Sequence, residues 1–356
     1  MLRNIQGKSL KGITALLMVL VLLTITACGA NSNQDSSGAG EQSADSSETE
    51  KTDFVVGYLN VMDDAQAMLA YEAGLYDKHG LNVTMQKFSS GTDLIKAMVG
   101  GQVDAGVLGF TNAVSWAAKG AGLKVVGGAQ MGFHSILVKE DSGITKVEDL
   151  KGKKLASQGQ GSTADIVLTG VTLKDANLTK QDVQMVYIDP AQSLQSLVSG
   201  AVDAAFVFEP YDSIATQTLG MKQIYEIGKV WPFPCMVVIT TDEHLENNPE
   251  AVDKLLDAQK EAIEMLQQDP QQSAERILNY FVDTDTMTTH HGGEIESVEV
   301  VKQAIETQIF HWDITPEHVS RMQDIANLMM EQGILEKEVN VEEILDLSWQ
   351  EKQEQS

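Results

Sequence analysis

The sequence predicts an α/β protein of two similar lobes, followed by a helical C-terminal region. Residues 80–109 and residues 182–208 share one order of elements: a strand, a polar loop, an amphipathic helix, a glycine and a second strand. Both stretches also contain the pattern Gly-x-Val-Asp-Ala. A strand–helix–strand unit implies parallel strands joined by a right-handed crossover. One such unit in each half of the chain therefore indicates two lobes of the same construction.

Each part of the repeated unit has its own signal. The first strand of each unit alternates apolar and polar residues, and the helix that follows has apolar residues at helical spacing. Gly101 and Gly200 follow these helices at the position of a C-cap glycine. Asp104 and Asp203 recur at the same place in the two units. We expect these two aspartates to cap or pin turns.

Other segments extend the scheme. Alternation predicts a strand at residues 53–59, and further strands are predicted at 123–129 and 235–240. Helices are predicted at 66–76 and 164–176. From Pro249 onward the chain reads as almost entirely helical, with helices at 250–268, 271–280, 298–308 and 316–332. The chain is expected to enter the second lobe near residue 138 and to return near residue 238. Lobe one is then 53–137 with 239–356, lobe two is 138–238, and the two crossings form a hinge.

The N-terminus predicts export and lipid anchoring. Three cations, Arg3, Lys8 and Lys11, precede an apolar run over residues 13–25, which is too short for a typical membrane span. The run ends in Ile-Thr-Ala-Cys-Gly, the pattern of a bacterial lipobox, so residues 1–27 are predicted to be a lipoprotein signal and Cys28 the lipidated residue. Residues 28–52 are polar and predict a disordered tether. The predicted location is the extracytoplasmic face of the cell membrane; an ordinary secretory signal or an N-terminal anchor is the alternative.

Composition limits the partners. The chain has 51 acidic and 25 basic residues, a formal net charge of −26. Nucleic acid is excluded, because binding to phosphates needs a basic surface. Cys235 is the only cysteine besides Cys28. We interpret it as a small buried apolar residue rather than a nucleophile.

Five stretches resemble a known family, the aliphatic-sulfonate, taurine, nitrate and thiamine-precursor group of periplasmic-type binding proteins (the NMT1/THI5-like superfamily). The resemblance implies a type II periplasmic-binding-protein-like fold that closes on a small-molecule ligand, docks on an ABC permease in the membrane, works as a monomer and needs no cofactor. The stretches are Ala73-Gly74-Leu75-Tyr76 with Gly80-Leu81-Asn82-Val83, Gly101-Gln102-Val103-Asp104, Asp149-Leu150-Lys151-Gly152-Lys153, Gly161-Ser162-Thr163-Ala164, and Val202-Asp203-Ala204-Ala205-Phe206-Val207-Phe208-Glu209-Pro210.

The predicted site is the crevice between the lobes, because open α/β sheets bind ligands outside the carboxyl ends of their strands. Glycines let the backbone approach a ligand, and helix starts with hydroxyl side chains suit a polar or anionic group. Simple N-capping is the alternative role for the Ser, Thr and Asp residues. The predicted ligand-binding residues are Asp63, Asp64, Ser90, Gly91, Phe110, Thr111 and Asn112 in lobe one, and Gly161, Ser162, Thr163, Asp165, Asp189, Glu209 and Tyr211 in lobe two.

The charges on these loops argue against a strongly anionic ligand. Beyond the signal the chain has two arginines, Arg276 and Arg321, and both lie in predicted C-terminal helices. An arginine clamp for a sulfonate or carboxylate is therefore missing from the loops. Asp165 also stands where taurine-type relatives often have histidine. A ligand with an amine, a pyrimidine or a zwitterion fits better, and a sulfonate remains the alternative.

Other functions have weaker support. The sequence has no Gly-x-Ser-x-Gly elbow and no histidine near Cys235, so an enzyme on the same fold is the first alternative and a ligand-sensing subunit of a membrane receptor the second. His290 and His291 near Asp283 and Asp285 suggest a metal, but they lack metal-site spacing. We expect a solvated loop there, and no metal.

Overall fold

The computed structural model describes residues 51–355. The predicted signal segment, Cys28 and nearly all of the predicted tether lie outside these residues. Among the helices within 51–355, none is both long enough and apolar enough to cross a membrane.

Residues 52–131 alternate strands and helices, beginning with the strand that the sequence predicts at residues 53–59. The elements are β1 (Thr52–Leu59), α1 (Ala65–Glu72), α2 (Leu75–Lys78), β2 (Leu81–Phe88), α3 (Gly91–Val99), β3 (Ala105–Gly109), α4 (Phe110–Ala117) and β4 (Leu123–Met131). A 3₁₀ turn, Met62–Asp64, precedes α1. The helix predicted at residues 66–76 is two helices, because Gly74 adopts φ +69° between them.

Residues 135–230 build the second sheet and its helices. The elements are β5 (Ser135–Lys139), β6 (Lys154–Ser157), α5 (Thr163–Val167), β7 (Gln184–Tyr187), α6 (Pro190–Ser199), β8 (Ala204–Val207), α7 (Tyr211–Thr218), β9 (Met221–Glu226) and α8 (Ile227–Val230). The helix predicted at 164–176 continues beyond α5 as a π-helical segment, Leu168–Leu173.

The remaining residues return to the first sheet and surround it with helices. The elements are β10 (Pro234–Thr241), α9 (Asp242–Asn247), α10 (Pro249–Gln268), α11 (Pro270–Ile277), β11 (Thr286–Thr288), β12 (Glu294–Glu296), α12 (Ser297–Glu306), β13 (Ile309–Phe310), α13 (Pro316–Glu331) and α14 (Ser348–Glu354). The four predicted helices are present with small shifts at their ends. The prediction of an almost entirely helical tail missed the β11–β12 hairpin and β13, because three-residue and two-residue strands have no measurable period.

The two sheets share one construction, as the repeated sequence pattern predicts. Their strand orders are β2-β1-β3-β10-β4-β13 and β7-β6-β8-β5-β9. In each, a central strand pairs in parallel with both strands of the strand–helix–strand unit: β1 with β2 and β3, and β6 with β7 and β8. The next strand, β10 or β5, is antiparallel and is the first strand after a crossing between the sheets.

Asp104 and Asp203 have the same task in the two sheets. Asp104 Oδ2 accepts the Val55 N–H at 2.7 Å, and the Asp104 N–H donates to Val55 O at 3.0 Å. Asp203 Oδ2 accepts the Lys154 N–H at 2.8 Å, and the Asp203 N–H donates to Lys154 O at 2.9 Å. Each aspartate therefore pins the chain before its own strand to the central strand, in agreement with the predicted structural role.

The chain changes sheet at residues 132–134 and again between α8 and β10, a few residues before the predicted crossings near 138 and 238. The two crossings are bonded to each other, because the Gly132 N–H donates to Phe233 O at 2.7 Å. The first crossing is also bonded to α8, whose Ile227 N–H donates to His134 O at 2.9 Å. A Cβ on Gly132 would lie 2.1 Å from the Phe233 ring. Only glycine therefore allows the two crossings to pack this closely.

Candidate ligand-binding cleft

A cavity of about 680 Å³ lies where the two lobes face each other. Its walls are the ends of the parallel strands β1, β2, β3, β6 and β8 and the segments that follow them, together with His134 of the first crossing and Cys235 and Met236 near the start of β10. This is the crevice that open α/β sheets use for ligands. The polar lining residues outside the predicted set include Asn60, Lys87, Ser89, His134 and Gln158; the apolar ones include Phe88, Phe208, Cys235 and Met236.

The lobes touch each other beside this cavity. Thr111 Oγ1, in the first turn of α4, and Thr163 Oγ1, at the start of α5, are 2.7 Å apart and share a hydrogen bond. A Cβ on Gly109 would lie 3.0 Å from Thr163 Oγ1, so the glycine permits this close approach. The two lobes are therefore in direct contact through the first turns of α4 and α5.

Buried carboxyl groups lie at one side of the cavity. Asp63 lines the cavity and is 5% exposed, and Asp64 beside it is fully buried. Burial, and then the nearby charge of Glu209, raises the pKa of Asp63 from 3.8 to about 8. Burial also raises the pKa of Asp64 well above its usual value, although a hydrogen bond from the Leu59 N–H at 2.8 Å acts against this. Asp63 Oδ1 has no hydrogen-bond partner within residues 51–355.

Glu209, after β8, lies close enough to Asp63 to interact with it electrostatically but does not line the cavity. It is fully buried and accepts hydrogen bonds from the Ser213 N–H at 3.0 Å, the Ser213 hydroxyl at 2.9 Å and the Thr307 hydroxyl at 2.7 Å. Burial and then the charge of Asp212 raise the pKa of Glu209 to about 7, against the effect of these hydrogen bonds. Glu209 thus joins lobe two to the turn after α12.

His134 comes from the first crossing and is 2% exposed. Its ring stacks on Phe206, with centroids 5.4 Å apart, and lies near Phe233. Burial lowers its pKa to about 4, so the imidazole is neutral at physiological pH. His134 Nδ1 has no partner among the described residues. The neutral ring of this cavity-lining residue can donate a hydrogen bond from one nitrogen and accept one at the other.

Asp165 lies outside the cavity wall and is fully paired. It is 2% exposed and does not line the cavity. Its carboxylate accepts hydrogen bonds from the Gly161 N–H at 2.9 Å and the Tyr187 hydroxyl at 2.8 Å, and pairs with Lys180 Nζ at 3.1 Å. Lys180 neutralises the carboxylate and the Gly161 N–H is bonded to it, so Asp165 shapes the loop before α5. A contact between Asp165 and a ligand stays a prediction.

The structure brings six of the fourteen predicted residues to the cavity. They are Asp63, Ser90, Gly91, Asn112, Ser162 and Thr163. Ser90 and Ser162 also cap α3 and α5, each accepting an N–H three residues on, so both proposed roles are compatible. Whether these residues contact ligand stays a prediction.

The other eight predicted residues do not line the cavity. Phe110 is fully buried in the core, Asp189 is an exposed N-cap of α6, and Tyr211 packs edge-on against Phe208. The remaining five predicted residues are also absent from the cavity wall: Asp64, Thr111, Gly161, Asp165 and Glu209.

Five polar residues of the cavity are not among the predicted ligand-binding residues, although Asn60, Ser89 and Gln158 lie within three residues of predicted ones. Lys87 is the fourth, and its polar side chain near the end of a predicted strand was the available signal. His134 is the fifth and lies in the first crossing, which was predicted near residue 138. Cys235 was correctly interpreted as buried: burial raises the pKa of its thiol well above the usual value.

The fold and the cleft define a two-lobed α/β binding protein of the periplasmic type. The sequence model of the NMT1-like family matches residues 47–278, and the chain belongs to this family. A protein of Brucella abortus named as a binding protein is 27% identical over 265 residues, which cover 72% of this chain and 81% of that protein. A 4-amino-5-hydroxymethyl-2-methylpyrimidine phosphate synthase of Saccharomyces cerevisiae is 24% identical over 249 residues, 65% of this chain and 72% of the synthase.

Solved structures have the same fold. The crystal structure of the periplasmic aliphatic sulphonate binding protein SsuA from Escherichia coli superposes with a TM-score of 0.68 at 22% identity, covering 82% of this chain and 91% of that one. These findings confirm the predicted superfamily, the two-lobed type II fold and the class of binding protein.

Proposed function

We propose that this protein is an extracytoplasmic solute-binding protein that captures one small polar molecule between its lobes for an ABC importer. The observation that carries the proposal is the 680 Å³ cavity, whose walls come from strand ends of both lobes and from the first crossing. A ligand in this cavity contacts both lobes at once. It therefore favours the arrangement in which they are together, as hinge-bending proteins do.

The lobes move, in this proposal, about residues 132–134 and the segment between α8 and β10. The predicted lipid at Cys28 and the tether that follows it keep the protein at the outer face of the membrane, where the permease implied by the family resemblance is reached. The two lobes are the proposed domains, and the protein acts as a monomer without a cofactor.

An enzyme on this fold is the second candidate, because a synthase is among the relatives and Cys235 and His134 both line the cavity. Nucleophilic catalysis by cysteine needs a thiolate. Burial raises the pKa of the Cys235 thiol, and burial lowers that of the His134 imidazole to about 4, so neither group is in the charged form of a thiolate–imidazolium pair. These two pKa shifts support solute capture rather than catalysis.

The test is a thermal-shift screen of the mature protein without its lipid, after partial unfolding to remove carried-over solute. The panel contains amines, amino acids, pyrimidines, aliphatic sulfonates and nitrate. A solute at a hundred-fold excess over Kd stabilises the native state by about 2.7 kcal/mol. We expect at least one solute to raise the unfolding midpoint and to reduce the radius of gyration in X-ray scattering.

Two variants locate the binding. A Cβ at Gly159 meets no atom within 4 Å, and this residue lines the cavity, so Gly159→Trp adds a bulky side chain at the cavity wall. Glu336→Trp places the same side chain on the exposed surface. We expect the solute to raise the unfolding midpoint of Glu336→Trp but not that of Gly159→Trp. Equal shifts in both variants contradict the cleft as the site, and turnover of a solute that Cys235→Ser abolishes contradicts simple capture.

A further inference from the structure

We propose that the captured solute carries a protonated amine or amidine, and that this cationic group binds Asp63 and His134 at the buried side of the cleft. The inference rests on the proposed function and specifies its ligand. It comes from two buried polar side chains that line one cavity and lack partners.

Asp63 is the first of these side chains. It is 5% exposed, and its Oδ1 accepts no hydrogen bond from any described residue. Its acidic neighbours Asp64 and Glu209 are fully buried, and no ion pair within residues 51–355 includes any of the three. The chain therefore places an incompletely satisfied carboxyl group at the cavity wall and supplies no positive partner for it.

His134 is the second, and it comes from a different segment. It is 2% exposed, aromatic rings fix its plane, and the described residues leave its Nδ1 without a partner. Buried polar groups in native proteins are nearly always hydrogen-bonded. Both side chains line the same cavity, which makes a bound ligand the candidate for their missing partners.

Charge decides what kind of donor the ligand supplies. A neutral hydroxyl can hydrogen-bond to Asp63, but it does not favour the ionised form of this carboxyl group, whose pKa burial and the charge of Glu209 raise to about 8. An ammonium or amidinium group donates several N–H groups and also stabilises the carboxylate, so Asp63 releases its proton to solvent when the cation binds. The neutral imidazole of His134 accepts one N–H of the same group. Because the electrostatic attraction is strongest where water is excluded, the cationic group belongs at this buried side.

Lys87 indicates the orientation of the ligand. It is exposed, lines the same cavity and forms no ion pair with the described residues. A second cation near Lys87 is disfavoured, so the solute carries its positive charge at one end. The hydroxyl and amide groups of Ser90, Asn112 and Ser162 then face its polar remainder.

The experiment uses matched pairs of probes in which a charged nitrogen group is replaced by a neutral one. The pairs are benzylamine with benzyl alcohol, benzamidine with benzamide, and 4-aminobutanol with butane-1,4-diol, together with any solute that co-purifies with the protein. Binding to the wild type, Asp63→Asn and Asp283→Asn is measured by calorimetry and by thermal shift. Asp283 is an exposed acid outside the cavity, so its variant controls for overall charge.

We expect the cationic probe to bind more tightly than its neutral partner and Asp63→Asn to weaken cation binding by about 100-fold, the scale for losing one partner of a buried charge pair. Asp283→Asn should bind like the wild type. A co-purified or screened solute without a cationic group that binds wild type and Asp63→Asn equally overturns this inference and leaves the proposed function intact. Absence of any solute bound in the cleft overturns both.

Discussion

Replacement of Asp63 by asparagine should make the ligand-free protein more stable at neutral pH. The folded state raises the pKa of Asp63 from 3.8 to about 8, so between these values the folded protein holds a proton that the unfolded chain releases. For an acid whose folded pKa is raised, stability falls as pH rises through this window. Each pH unit costs about 1.4 kcal/mol, so the cost accumulated by pH 7 is on the order of 4 kcal/mol.

Asparagine removes this cost and has nearly the same shape, but its buried amide still lacks partners, which costs about 1–3 kcal/mol. We therefore expect Asp63→Asn to be about 1–3 kcal/mol more stable than the wild type at pH 7. The advantage should shrink by about 1.4 kcal/mol for each pH unit toward pH 5.5. The groups that interact with Asp63 in this window are Asp64, Glu209 and Cys235, and they are unchanged in both proteins.

The assay is urea unfolding of solute-free protein at half-unit steps from pH 5.5 to 8. The free energy of unfolding of Asp283→Asn, a substitution at an exposed position, should change with pH as it does in the wild type. A pH-independent difference between Asp63→Asn and the wild type, or a less stable variant at pH 7.5, would refute the idea that Asp63 is a buried, uncompensated acid.

Substitutions at four further positions test the scaffold, each by urea unfolding at pH 7. Asp104→Ala and Asp203→Ala should each cost about 0.5–1.5 kcal/mol, because each removes the acceptor of one strand N–H; a loss in one lobe alone would contradict their equivalence. Gly132→Ala should cost about 3 kcal/mol, because its Cβ overlaps the Phe233 ring, and no loss would mean that the crossings separate easily. Lys180→Met should cost about 2 kcal/mol by leaving a buried carboxylate without its cation, whereas Lys180→Arg should keep most of the stability.

The repeated pattern in the sequence predicted the fold well because it is local. Strand, helix and glycine follow one another within about thirty residues, and Asp104 and Asp203 stand at the same step of both units. The antiparallel strands β5 and β10 had no such signal for their pairing partners. They join their sheets after the crossings, and long-range pairing leaves no trace in periodicity.

The site was predicted less completely, for reasons of the same kind. The loops after the strands could be located, and Asp63 and Asn112 are at the cavity. Whether an acid is free or paired depends on residues far along the chain: Lys180 lies fifteen residues beyond Asp165, and Thr307 lies ninety-eight beyond Glu209. Spacing within a loop cannot show these partners.

Native mass spectrometry of the gently purified protein tests solute capture in the cleft most directly. The account predicts one small organic solute per protein molecule on the wild type and on Glu336→Trp, released on unfolding, and none on Gly159→Trp. The same solute in equal amount on all three proteins, or a wild type that binds nothing both as purified and after incubation with cell extract, would contradict capture between the lobes.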